Sequence, residues 1–184
     1  QGAGRVVDAL ATAVGTSSGR EARVAAEERV LAGVLRARPA RAGDAELLLA
    51  WRNDPGTRRW SRSHDEVDLA THRRWLAGSL DSDDRLLLVV DDARGPVGTV
   101  RWDRADAAWE VSITVAPERR GEGLAGPLLR AGEDALRART GAEAPVTAVV
   151  HTGDDASARL FARAGYGDPT GPDADGFRTL HRVL

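Results

Sequence analysis

The chain has 184 residues, a formal net charge of −2, no cysteine and no methionine. Its 42% hydrophobic share supports a sizeable core, and 29% charged residues fit an ordinary soluble domain with an appendage. This charge gives no electrostatic basis for a nucleic-acid or phospholipid partner. Without cysteine there are no disulfides, thiolate metal sites or thiol nucleophiles, and no run approaches the ~20 apolar residues of a membrane span. No signal-peptide pattern is visible, so a cytoplasmic enzyme is expected. A chain that starts at Gln1 and lacks methionine also reads as a piece of a longer polypeptide.

Residues 1–33 read as a helical extension ahead of a main domain at 34–184. Helices are expected near Arg5–Val14 and Arg20–Leu35, the second with Val24, Val30, Leu31, Val34 and Leu35 on one face. A docking helix, a plain extension and the tail of an upstream domain all fit this stretch. A strand is expected in 34–40. A helix then follows over Ala45–Arg52, with Asp44 near its N-cap and Leu47, Leu48 and Trp51 at core spacing. Asn53-Asp54-Pro55-Gly56 breaks it. Ser63 and Glu66 fit a capping box that opens a helix ending at Leu80. The continuous apolar run Leu86–Val90 marks a strand buried on both faces. A turn at Asp91–Gly95, a strand over Val97–Asp103 and a second turn at Arg104–Ala107 lead to a strand from Ala108.

In that last strand Trp109, Val111, Ile113 and Val115 share one face, and Glu110, Ser112 and Thr114 the other. Pro117 ends it. Gly121, Gly123 and Gly126 then permit close backbone approach, and Leu124, Leu128, Ala131 and Ala135 start the apolar stripe of a helix reaching Thr140. Unpaired amides at such a helix start, behind Arg119 and Arg120, suit a phosphate group. The alternative is a tight strand–helix turn with solvated arginines. A strand over Pro145–Thr152, a helix over Asp154–Ala164 closed by Gly165, and a strand over Phe177–Leu184 complete an α/β chain with an antiparallel meander in its middle.

Three features make residues 34–184 resemble the GNAT acetyltransferases. The run Arg120-Gly121-Glu122-Gly123-Leu124-Ala125 is similar to the family's R/Q-x-x-G-x-G/A pyrophosphate loop. It follows V-A-P directly, as in the strand that precedes the family's CoA helix. Downstream, Asp154-Asp155-Ala156-Ser157-Ala158-Arg159-Leu160-Phe161 and then Gly165-Tyr166 resemble N-x-x-S-x-x-L-Y-x-x-x-G-F. The resemblance implies a mixed, mostly antiparallel central sheet with helices on both faces and a splayed central strand pair. It also implies acetyl-CoA as co-substrate, no metal, and a small-molecule amine partner bound by a monomer or dimer. Backbone amides from Gly121 to Ala125, including Glu122, Gly123 and Leu124, would hold the pyrophosphate with Arg119 and Arg120, and backbone at Ile113, Thr114 and Val115 would hold pantetheine.

The chain departs from the pattern at two positions that the resemblance brings to the cofactor. Asp154 replaces the family's Asn and accepts but does not donate when ionised. Phe161 replaces the frequent Tyr that would protonate the leaving thiolate, so no general acid is assigned. Ser157 is either a cofactor ligand or a helix N-terminal hydroxyl. Attack by an amine needs a polarised thioester carbonyl, with a backbone amide near Val115 as the expected donor, and a base. Glu110 is the first candidate base, its alternative being a rim carboxylate in a salt bridge. His151 is the second, its alternative being a structural histidine.

Acceptor choice in the family comes from the segment after the first strand, here Trp51, Arg52, Asn53, Arg58, Trp60 and His64, with Trp75 further on. W-R-N-D is similar to the branch holding ribosomal-protein N-terminal acetyltransferases and nucleotide-sugar acetyltransferases. Among the latter the likeness is to enzymes acetylating the 4-amine of UDP-linked amino-dideoxy sugars of the pseudaminic-acid type. Rings stacking on a base and guanidinium groups forking to phosphate would suit that acceptor. The alternative reading makes the tryptophans core. The first ten residues also look like the closing helix of nucleotide-sugar hydrolases that act in the same pathway. A nucleotide-linked amino sugar is the expected acceptor, with a peptide N-terminus or a non-catalytic CoA-binding module as alternatives.

Overall fold

The Leu86–Val90 run passes between the two core layers. In the computed structural model, which describes residues 34–141 and 143–184, Val89 and Val90 are each fully buried yet face opposite layers. The helix expected near Arg5–Val14 and most of the one expected near Arg20–Leu35 lie outside the described residues, and Val34 and Leu35 are not helical. Leu35–Asp91 and Gly95–Leu184 form one compact unit.

Six strands form an open sheet in the order of the chain: β1 (Arg36–Pro39), β2 (Arg85–Asp92), β3 (Gly95–Ala105), β4 (Ala108–Val115), β5 (Pro145–His151) and β6 (Phe177–Val183). The β1–β2, β3–β4 and β5–β6 pairs are antiparallel, whereas β4 and β5 run parallel. Among the described residues five α-helices accompany the sheet: α1 (Ala45–Asn53), α2 (Pro55–Arg59), α3 (Leu69–Leu80), α4 (Ala125–Thr140) and α5 (Asp155–Arg163). A parallel pair needs a long crossover, and α4 supplies it.

One layer gathers Val90, Val100, Trp102, Val111, Val146, Ala148 and Val150 of the sheet beneath Leu128, Leu129 and Leu136 of α4 and Phe161 of α5. The other sets Leu87 and Val89 against Leu48 and Trp51 of α1 and Leu76 of α3. Helix α4 lies very close to β3. A Cβ at Gly132 would come within 2.5 Å of Val100 Cγ1, and the Trp102 indole N–H donates to the Gly132 carbonyl at 3.1 Å. Behind α4, the buried Glu133 carboxylate joins Arg182 at 2.8 Å and the Tyr166 hydroxyl at 3.3 Å. Burial, with the Glu133 charge beside it, pushes the Tyr166 phenol up.

Two local expectations are corrected. Asn53-Asp54-Pro55-Gly56 does end α1, but it also starts α2: Pro55 occupies the first helical position and Asp54 caps it by accepting from Thr57 N–H at 2.9 Å. The Ser63–Glu66 capping box does not form. Helix α3 begins at Leu69, capped by Asp68 through Thr71 N–H, and Glu66 instead pairs with Arg58 at 3.1 Å.

Candidate active site

Strand β4 builds the site through its alternation. Its partners on β3 run from Ala108↔Ala105 to Val115↔Gly98, and Ala116 N–H donates to Val97 O at 2.8 Å. In an antiparallel ladder the backbone groups of successive residues point to opposite neighbours. Ser112 and Thr114 therefore turn theirs toward β3, and Ile113 and Val115 turn theirs toward β5. On that side the pairing stops early: Trp109, Glu110 and Val111 face Val146, Thr147 and Ala148, with no partners beyond. A gap opens between the C-terminal ends of β4 and β5, lined by backbone of Ile113 and Val115. Thr114, expected alongside them, addresses its backbone to Thr99 instead.

The gap leads to the glycine loop. Gly121 and Gly123 hold φ of +84° and +74°, which β-carbons rarely tolerate. Helix α4 follows with no side-chain cap on its first amides. A 16-residue helix that leaves these donors to a ligand, behind a loop of glycines, is a fitting cradle for a pyrophosphate. The two arginines already have carboxylate partners. Arg119 is buried and forks onto Glu122 at 3.0 and 3.1 Å, while Arg120 pairs with Asp54 at 2.7 Å and donates to Thr57 Oγ1 at 2.9 Å.

The second motif turns inward. Asp154 caps α5, accepting from Ser157 N–H at 3.0 Å and from the Ser157 hydroxyl at 2.7 Å. Of the two readings of Ser157, this is the helix N-terminal hydroxyl. Phe161, expected at the cofactor, is 3% exposed and meets Tyr166 edge-on in the core.

Glu110 sits at the root of the gap, one residue before the last paired position, on the face shared with Ser112 and Thr114. Among the described residues no ion pair or hydrogen bond engages its carboxylate, so the salt-bridge alternative is not what the structure contains. Strand rise is about 3.4 Å per residue, which puts Glu110 about 10 Å from Ile113 and about 17 Å from Val115. A base at Glu110 thus fits a carbonyl held near Ile113 better than one near Val115, and reaches it through water.

His151 ends β5, the other wall of the gap. Its Nδ1 accepts from Gly153 N–H at 3.0 Å, which leaves the proton of the neutral ring on Nε2. The ring packs 5.5 Å from Trp60 and 5.1 Å from Phe177, centroid to centroid. With Nδ1 taken up by the Gly153 N–H and the ring packed against Trp60 and Phe177, His151 makes the contacts of a structural histidine.

Most of the expected acceptor residues brace the chain. Trp51 is 3% exposed in the second core. Arg52 donates to Ser63 O at 3.1 Å, and Arg58 donates to Asn53 O at 3.1 Å and His64 O at 2.9 Å. Asn53 closes a two-way clasp with Val67, donating at 2.8 Å and accepting at 3.0 Å. His64 Nδ1 lies 2.8 Å from Arg58 O. Residues 60–68 form no regular element, and these side chains satisfy the carbonyls that a helix would have satisfied internally. Trp60 differs, standing over the end of β5 with the Arg59 guanidinium 4.8 Å from its ring centroid. Next to it, Arg62 lies 4.4 Å from the Phe177 ring centroid and bonds Asp173 at 2.7 Å.

A further cluster escaped the sequence because three elements contribute to it. Asp103, opposite Glu110 on β3, takes both Arg85 of β2 and Arg101, which donates at 2.6 Å, with the Trp75 ring 5.6 and 5.8 Å from their guanidinium carbons. Among the described residues no cluster of His, Cys, Asp or Glu could hold a metal ion, and no helix is long and apolar enough to cross a membrane.

An open α/β sheet with a gap beside an uncapped, glycine-led helix defines a fold for acyl-CoA transfer. The family model described as an acetyltransferase (GNAT) domain matches residues 35–167, and the chain belongs to that family. It is an acetyltransferase, with acetyl-CoA as its acyl donor. Solved structures agree on the fold. A spermidine N-acetyltransferase from Vibrio cholerae, in complex with CoA and spermine, superposes with a TM-score of 0.72 at 15% identity, covering 82% of this chain and 94% of that one. A domain from Methanocaldococcus jannaschii gives 0.69 at 16% identity over 82% and 99%. An aminoglycoside acetyltransferase in complex with coenzyme A gives 0.68 at 16% identity over 82% and 95%. No curated protein sequence matches this one.

Proposed function

We propose that the chain acetylates a primary amine on a sugar, the acceptor being a nucleotide-linked amino sugar. The observation that carries the transfer reaction is Glu110, a carboxylate without an ion-pair partner among the described residues, at the root of the β4–β5 gap. Acetyl-CoA supplies an activated acetyl thioester when bound. The amides of Gly121 to Ala125 and the Arg120 guanidinium would hold its pyrophosphate, and the backbone of Ile113 and Val115 its pantetheine arm. The Ile113 N–H is the donor best placed to polarise a carbonyl. Glu110 takes the proton of the acceptor ammonium through ordered water, which leaves the amine neutral and nucleophilic.

One observation supports a nucleotide-linked acceptor, and a second supports an amine acceptor in general. Trp60 and Arg59 set a half-buried ring and a guanidinium group beside the end of β5, a combination suited to a base and a phosphate. The similar solved structures include acetyltransferases named for spermidine and aminoglycosides, both of which carry amines. Thiol release measured over UDP-linked amino sugars, aminoglycosides, polyamines and short peptides tests the proposal. Turnover is expected with the UDP-linked amino sugars. A preference for polyamines or peptides would overturn the acceptor assignment, and stabilisation by acetyl-CoA with no thiol release from any amine would overturn catalysis.

A further inference from the structure

Arg120 stands at the meeting of two segments with separate tasks. It opens the glycine loop, yet its guanidinium reaches back to the start of α2, where Nη2 donates to Asp54 Oδ1 at 2.7 Å and to Thr57 Oγ1 at 2.9 Å. Asp54 Oδ1 is the same atom that caps α2 through Thr57 N–H. The ion pair therefore acts on the helix start itself. Burial raises the Asp54 carboxyl, and the bonds from Arg120 and Thr57 outweigh it, leaving the group below its ordinary value and charged. A guanidinium group has five donors. Two sit on Nη2 and are spent on α2, so three remain on Nη1 and Nε. Gly56 makes the approach possible: a Cβ there would lie 2.7 Å from Arg120 Nη1. Its φ is not in the left-handed region, so what a Cβ at this position would displace is the end of the Arg120 side chain, not the backbone of Gly56.

We propose that Arg120, held by Asp54 and Thr57 over Gly56, is a positioning residue that couples occupancy of the glycine loop to the segment 54–60 ending in Trp60. This rests on reading the loop as the CoA pyrophosphate site. Asp54 and Thr57 fix the plane of the guanidinium, with its remaining donors available to the pyrophosphate. A bound pyrophosphate restrains Arg120, and Arg120 restrains the first turn of α2. Linkage makes the effect mutual: a segment already ordered by an acceptor strengthens CoA binding by the same factor.

Hydrogen exchange on the full chain, with and without CoA, tests this, alongside CoA affinity by calorimetry. In the wild type, CoA is expected to slow exchange at the amides of 121–126 and 128 and also at those of 56–60. The second effect is about two- to fivefold, the range open to an exposed ion pair. Two variants separate the coupling from the fold. Asp54→Asn keeps an equally good helix cap while removing the charge. Gly56→Ala favours the helix intrinsically but pushes the guanidinium off its seat. Both should bind CoA and protect 121–126 and 128, and both should lose the CoA-dependent protection at 56–60. If either variant keeps that protection, or the wild type binds CoA without it, the coupling is overturned while the CoA site stands. If the wild type neither binds CoA nor protects 121–126 and 128, the reading of the loop falls and the coupling with it.

Discussion

Glu110 and Asp103 face each other directly across the β3–β4 ladder, and the two carboxylates have opposite surroundings. Asp103 holds Arg85 and Arg101, whereas among the described residues Glu110 has no ion-pair partner. Two carboxylates side by side repel unless one is neutralised, and the paired arginines neutralise Asp103. Glu110→Gln is therefore expected to lower kcat by about a hundredfold, the lower part of the range for general-base loss, with CoA affinity within about twofold of wild type. Single-turnover thiol release with parallel calorimetry checks both, and an unchanged kcat would remove Glu110 from the reaction.

Asn53 clasps Val67 and holds the far end of the irregular 60–68 segment. Asn53→Ala removes both bonds and leaves the Val67 amide to find water. Stability should fall by about 1–2 kcal/mol, with KM for the acceptor rising more than KM for acetyl-CoA. Equal changes in the two constants would mean that the segment does not serve the acceptor.

Gly132 sits in the interior of α4, where alanine normally stabilises by about 1 kcal/mol. Here a Cβ would strike Val100 2.5 Å away, so Gly132→Ala should instead destabilise by about 1–3 kcal/mol. The double variant with Val100→Ala should recover part of that loss. Urea denaturation of the set reads the effect directly.

Asp44 accepts two bonds from Arg38, at 2.8 and 2.9 Å, which hold its carboxyl below the ordinary value of 3.8. A depressed carboxyl stabilises the fold above its unfolded value and loses that contribution as pH falls through the folded one. Asp44→Asn should thus cost about 1–2 kcal/mol near pH 7, and the difference from wild type should shrink once the pH drops below 3.8. Thermal melts of both proteins from pH 7 to pH 3 give the comparison.

Period and punctuation were readable from residues alone. The alternation from Trp109 to Val115, the buried run Leu86–Val90 and Gly165 at the end of α5, with φ of +85°, all appear where local pattern puts them. The glycine loop ahead of α4 was legible for the same reason: its glycines and the helix start are contiguous. Bonding partners were not. Arg52, Arg58 and Asn53 have the composition of a ligand set, but a side chain's composition does not reveal whether it donates to a ligand or to a carbonyl of its own loop. Asp103, Arg85 and Arg101 converge only once β2 and β3 lie together, so no single stretch announces them. Helix α2 was hidden because Pro55 is a breaker when read from upstream and a helix start when read from downstream.

The early end of the β4–β5 pairing has a mechanical consequence. Strands β1 to β4 form one half of the sheet and β5 with β6 the other, and only three paired positions stitch them together. That seam has fewer rungs than the β1–β2, β3–β4 and β5–β6 ladders. A chain molecule lying along Ile113 and Val115 would supply rungs that the polypeptide omits, much as an added strand does. The enzyme would then be a complete sheet only while it carries its acyl donor.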